Sequence, residues 1–116
     1  MKEKVAYRNE RYFFRLFGLN KPLREKLKKV FIGTGIEVNE VTSKENIWVT
    51  VLTLKENCNY EDLYQFVNDN QVSASDYGIR VSLVTETDSS GVDVPPYIIE
   101  IIQKIGGKMA FTFTVV

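Results

Sequence analysis

The chain has 116 residues, 44% hydrophobic and 26% charged, which is the size and composition of one globular domain. It contains no histidine and one cysteine, Cys58, which excludes Ser-His or Cys-His catalysis within the chain and leaves too few ligands for a zinc site. The net charge is zero, yet residues 1–32 carry ten Lys/Arg against three acids, whereas the remainder carries five against twelve. This division predicts two surfaces of opposite potential.

The first predicted strand, Val5–Leu19, is rich in aromatic residues, as strands commonly are. Asn20 is a suitable N-cap for a first helix over Lys21–Ile32, whose apolar residues recur on one stripe. Gly33 and Gly35 should end this helix. The outer surface of the helix is expected to be basic, and it carries Arg24, Lys26, Lys28 and Lys29.

Two further strands are predicted at Ile36–Thr42 and Ile47–Leu54, joined by a polar turn. A second helix should begin after Asn59, because asparagine caps helices and acidic residues follow it at the positive end of the helix dipole. A strand from Tyr77 to about Thr87 then alternates apolar and polar residues.

Pro95 and Pro96 predict the start of a third helix, which Gly106–Gly107 should end. The last strand, Lys108–Val116, alternates so that one face is expected to be buried and the other to meet water. The order β-α-β-β-α-β followed by α-β predicts a single α+β domain. Its fold class is ferredoxin-like βαββαβ with an added C-terminal helix and strand, and its helices lie on one face of an antiparallel or mixed sheet.

Acidic residues of the second helix and of the following loops form the first candidate site. If they share one side, their carboxylates would fit the positive groove of a nuclease or another nucleic-acid-binding protein, with Tyr64 as an aromatic anchor. Acids near residue 88 do not have the spacing of a calcium loop, and neither a metal nor a cofactor is expected. The candidate partner-binding carboxylates are Glu61, Asp62, Asp69, Asp76, Glu86, Asp88 and Asp93.

The segment ERYFFRLFGLNKPLREKLKKVF resembles the opening of an RNA-recognition motif, in which an aromatic strand leads into a helix. The resemblance implies a nucleic-acid-binding sheet face made of Arg11, Phe13, Arg15 and Phe17. The glycine- and aromatic-rich strand of that family has no counterpart in NIWVTVLTL. Nucleic acid is therefore not the expected partner, and the first strand is predicted to be buried on both faces.

The segment LVTETDSSGVDVPPYIIEIIQKIGGKMAFTFTVV resembles the C-terminal part of small bacterial α+β domains, which include immunity proteins of toxin systems. The resemblance implies a non-enzymatic protein that neutralises a cognate toxin by occluding its active site. The alternatives are a nucleic-acid-binding domain and a small-molecule-binding regulatory domain, and homo-oligomerisation stays open. The sequence predicts neither a signal peptide nor an apolar membrane span, and the lone cysteine suits a reducing compartment, so a cytoplasmic location is expected.

Overall fold

The computed structural model describes residues 8–85 and 93–115, which form three α-helices, one 3₁₀ turn and five strands. The expected mixed α+β architecture is confirmed. The strands are β1 (Arg8–Phe17), β2 (Val38–Thr42), β3 (Trp48–Thr53), β4 (Tyr77–Thr85) and β5 (Lys108–Val115). The helices are α1 (Lys21–Val30), α2 (Glu61–Asp69) and α3 (Pro96–Ile105), and the 3₁₀ turn is Ala74–Asp76.

The five strands form one sheet in the order β2-β3-β1-β4-β5. The pairs β2–β3, β3–β1 and β1–β4 are antiparallel, whereas β4 and β5 are parallel. A parallel pair needs a crossover connection, and α3 provides it between β4 and β5. β1 is the central strand, where Phe14 lies opposite Leu52 of β3 and Ile79 of β4.

Alternation along the strands places one side of the sheet against the helices. Phe14, Leu52 and Ile79 are on this side and are at most 1% exposed, together with Leu27 of α1 and Ile98 of α3. The other side, called the open face here, carries Phe13 and Arg15 of β1 at the intervening positions. The core therefore lies in one layer between the sheet and the helices.

Local signals in the sequence account for the helix starts. The side chain of Asn20 accepts a hydrogen bond from the Leu23 N–H at 3.0 Å, which caps α1. Asn59 accepts one from the Glu61 N–H at 2.8 Å at the start of α2. α3 begins at Pro96, where a missing donor costs nothing.

The prediction that one face of the last strand is buried is wrong for most of β5. Phe111 and Phe113 are 59% and 44% exposed, although their partners Val81 and Leu83 on β4 are buried. β5 is the edge strand, and of its helix-side residues only Met109 packs against the core. The alternating pattern correctly indicates a strand, but an edge position leaves its apolar side without a covering layer.

Candidate functional site

α2 carries an acidic outer side. Glu61, Asp62 and Asp69 are all exposed, while Leu63 and Phe66 on the same helix are buried. Glu61 and Asp62 are in the first turn, where the helix dipole favours negative charge. Three of the predicted partner-binding residues are thus accessible on one rigid element.

None of the carboxylates around α2 forms an ion pair within the described residues, although Lys26 of α1 lines a cavity together with Asp62 and Asp69. Residues 56–79 contain five acids and no lysine or arginine. Within the described ranges, ion pairs join Arg24 and Lys28 of α1 to Glu40 of β2, and none involves these five acids. The Glu61 side of α2 therefore keeps unpaired negative charge, whereas Lys26 offsets part of the charge near Asp62 and Asp69. The five acids are Glu56, Glu61, Asp62, Asp69 and Asp76.

Tyr64 is not the exposed anchor that the sequence predicts, since it is only 8% exposed. It lies on the side of α2 that faces α3, and a cavity of about 280 Å³ next to it is also lined by Glu61, Tyr97 and Glu100. Burial raises the pKa of the Tyr64 hydroxyl, and the carboxylates of Glu100 and Glu61 raise it further. The buried Tyr64 side chain therefore lies beside the exposed Glu61 and Glu100 and contributes to their packing, not to an exposed contact surface.

Glu100 is the residue of this region that sequence reasoning missed. It is exposed on α3, and its position near Tyr64 adds a carboxylate from a second helix to the acidic side of α2. The rings of Tyr60 and Tyr97 stack with centroids 6.4 Å apart and join the first turns of α2 and α3. We call Glu61, Asp62 and Glu100 the acidic helix surface.

The other predicted carboxylates are distributed differently. Asp93 is exposed just before the start of α3, at the end of the helices where Glu61 lies. Asp76 is exposed in the 3₁₀ turn that follows the opposite end of α2. Glu86 and Asp88 lie outside the described residues. The predicted carboxylates therefore do not form one continuous patch.

The basic surface predicted for α1 is partly neutralised. Arg24 is only 9% exposed, so its placement on the outer surface is wrong. Its Nη1 donates a hydrogen bond to the Leu19 carbonyl at 2.7 Å, and its guanidinium lies over the Trp48 ring at 4.7 Å. Its Nε and the Lys28 Nζ lie 3.3 and 3.1 Å from the same Glu40 oxygen. Half of the four cations named for this helix are thus paired.

The residues of the alternative site on β1 share one side of the strand, as the alternating pattern of the sequence predicts. Phe13, Arg15 and Phe17 are on the open face, and Arg11 occupies the next position of the same row. Burial of this strand on both faces is wrong, because Phe17 is 37% exposed and Phe13 and Arg15 are half-buried. The helices cover only the other side of the sheet.

In the described part of the chain, no group of three or more cysteine or acidic side chains is placed to hold a metal ion, and no helix is long and apolar enough to cross a membrane. In comparisons with known proteins, no family model matches the chain, and no curated protein is significantly similar to it.

Proposed function

We propose that this chain is a non-enzymatic binding protein, and most concretely an immunity protein that neutralises a cognate toxin by covering its active site. The observation that carries the proposal is the acidic helix surface, whose carboxylates lack cationic partners within the described residues. Carboxylates without internal partners are available to a basic partner. A toxin that cleaves nucleic acid has such a basic groove, because its substrate is a polyanion.

The support beneath this surface also suits recognition. Glu61 is on α2 and Glu100 on α3, and the stacked Tyr60 and Tyr97 rings join the two helices. A rigid base lowers the entropy lost when side chains are ordered on binding. Opposite potentials on the two partners increase the association rate more than they increase the affinity.

The strand order supports a finer description of the fold. The antiparallel order β2-β3-β1-β4, with α1 and α2 on one side, is the arrangement of a ferredoxin-like βαββαβ unit. We propose that β5 and α3 extend this unit. We also place its action in the cytoplasm, where an immunity protein would meet a toxin that attacks nucleic acid.

The test combines Glu61→Lys with Glu100→Lys and measures association with a basic nucleic-acid-cleaving toxin, sought first among the products of neighbouring genes. We expect the association rate at low salt to fall about tenfold and the difference to shrink as salt is raised. The matched control combines Lys29→Glu with Lys44→Glu, two exposed cations without ion pairs in the described part of the chain. Circular dichroism checks that both variants fold.

An unchanged association rate in the acidic variant would contradict the proposal. Loss of binding in the control alone would also contradict it, because the interface would then be basic. Growth protection in cells that produce the toxin gives an independent readout, and we expect the acidic variant to protect less well than the control.

A further inference from the structure

The open face of the sheet contains a groove that the proposed function does not use. The groove has a volume of about 400 Å³ and runs across β1, β3 and β4. Its floor is apolar, and two arginines from neighbouring strands enter it. The residues that matter for its chemistry are Phe13, Arg15, Phe17, Val51 and Arg80.

The cations of this groove have no anionic partner among the described residues. The Nε of Arg15 is buried and has no hydrogen-bond partner there. Arg80 donates from its Nε to the Thr112 hydroxyl at 2.9 Å, which satisfies the group without neutralising it. Burial lowers the pKa of Arg15, and the charge of Arg80 lowers it further, so the two guanidinium groups are close enough to repel each other.

An unpaired cation of this kind destabilises the folded protein, because burial removes water that would otherwise stabilise its charge. Two such cations in one groove destabilise the folded protein further, since each positive charge disfavours the charged form of the other. An anion bound between Arg15 and Arg80 compensates both for the lost hydration of the charges and for the repulsion between them. The charge of the groove therefore specifies the charge of its ligand.

The aromatic residues specify the shape of the ligand. Phe13 and Phe17 flank Arg15 on the same face, with Cα atoms about 13 Å apart along the strand. The guanidinium of Arg15 lies 5.3 Å from the centre of the Phe17 ring. Accessible rings that alternate with guanidinium groups can stack flat groups on either side of a bound anion.

We propose that the sheet-face groove binds single-stranded nucleic acid, with a phosphate between Arg15 and Arg80 and bases on Phe13 and Phe17. The groove is shallow and open, which suits a strand that passes across the sheet. At the opposite positions β3 presents Val51 and Thr53, which offer neither a base-stacking ring nor charge. Binding should therefore tolerate different sequences and depend strongly on salt.

An acidic peptide would satisfy the arginines but would make no use of the exposed rings, which is why nucleic acid is favoured. Arg11 does not line this groove; it lines a neighbouring cavity together with Glu37. The proposal does not depend on the immunity function, since the acidic helix surface lies on the other side of the sheet.

The experiment titrates the full chain into labelled 12-nucleotide dT and rU strands and measures fluorescence anisotropy at 50 and 150 mM salt. We expect micromolar binding at 50 mM salt and a large loss at 150 mM. Combining Arg15→Gln with Arg80→Gln should weaken binding at least tenfold, and Phe17→Ala about tenfold. Lys29→Gln, on the exposed side of α1, is the matched single-charge control and should change binding little.

Amide chemical-shift mapping keeps the proposal testable if a variant does not fold. The oligonucleotide should shift amides of β1 around Arg15 and of β4 around Arg80, and leave those of α2 unchanged. No binding at 50 mM salt, shifts confined to α1, or an equal effect of Lys29→Gln would overturn the proposal. Competition by a glutamate-rich peptide of the same charge, as effective as unlabelled oligonucleotide, would also overturn it.

Discussion

Tyr60 holds the start of α2 in place through its hydroxyl. The hydroxyl donates to the Lys55 carbonyl and accepts from the Lys55 N–H, both at 2.7 Å, so one side chain satisfies both backbone groups of that residue. The Tyr60 ring is buried and stacks on Tyr97. Tyr60→Phe removes the two hydrogen bonds but keeps the ring, and therefore leaves no large cavity.

We expect Tyr60→Phe to reduce the free energy of unfolding by about 1–3 kcal/mol. A buried donor or acceptor that loses its partner can cost that much by itself. Lys55 is exposed, however, so water will replace part of what is lost and keep the total for two groups within this range. Urea denaturation of the wild type and the variant measures the difference, provided that the m-value is unchanged.

Tyr97→Phe is the matched control, because its hydroxyl makes no hydrogen bond within the described part of the chain and its ring takes part in the same stack. It should change stability by less than about 0.5 kcal/mol. Equal small losses in both variants would refute the reasoning, since the Lys55 contacts would then contribute nothing to stability.

Two further predictions concern pH and the edge of the sheet. Burial is the largest cause that raises the pKa of Tyr60, to about 12, whereas an unfolded tyrosine titrates near 10. Its neutral form therefore stabilises the fold below pH 10, and this contribution is lost as pH rises through 12. Burial also raises the pKa values of Tyr64, Tyr77 and Tyr97, so absorbance titration should show a late step whose amplitude Tyr60→Phe reduces. Gly78→Ala would place a methyl group against the Lys108 carbonyl oxygen, closer than van der Waals contact, so we expect the free energy of unfolding to fall by about 1–3 kcal/mol. Amide exchange should accelerate in β5 and not in β3, and uniform acceleration would contradict this explanation.

Periodicity and capping signals in the sequence were sufficient to predict the three helices and five strands. Where a predicted end falls within the described residues, it differs from the observed end by at most two residues. These features depend on neighbours in the chain, as in the Asn20 cap and the Pro96 start. The burial of Tyr64 could not be predicted in this way. It arises because α3 packs beside α2, and the periodicity of one helix does not reveal what covers its flank.

Arg80 and Glu100 were missed for a related reason. Arg80 appears as an ordinary polar position in an alternating strand, and it becomes informative only when β4 pairs with β1 and brings it beside Arg15. Glu100 becomes informative only when α3 lies next to α2. Arg24 was misplaced because a long side chain can leave the outer side of a helix and reach a backbone carbonyl, here that of Leu19.

The charge division of the sequence takes a different form in the folded chain. The N-terminal cations lie on both β1 and α1, and the fold places these two groups of cations on different surfaces. Among the described residues, Glu40 pairs with both Arg24 and Lys28 of α1 and offsets one of their two charges, whereas Arg15 has no anionic partner on the open face of the sheet. The carboxylates of the acidic helix surface lie on the other side of the sheet, around Glu61, and have no ion pair among the described residues. A sheet one layer thick therefore separates the two surfaces, and a basic partner bound to the helices leaves the open face accessible.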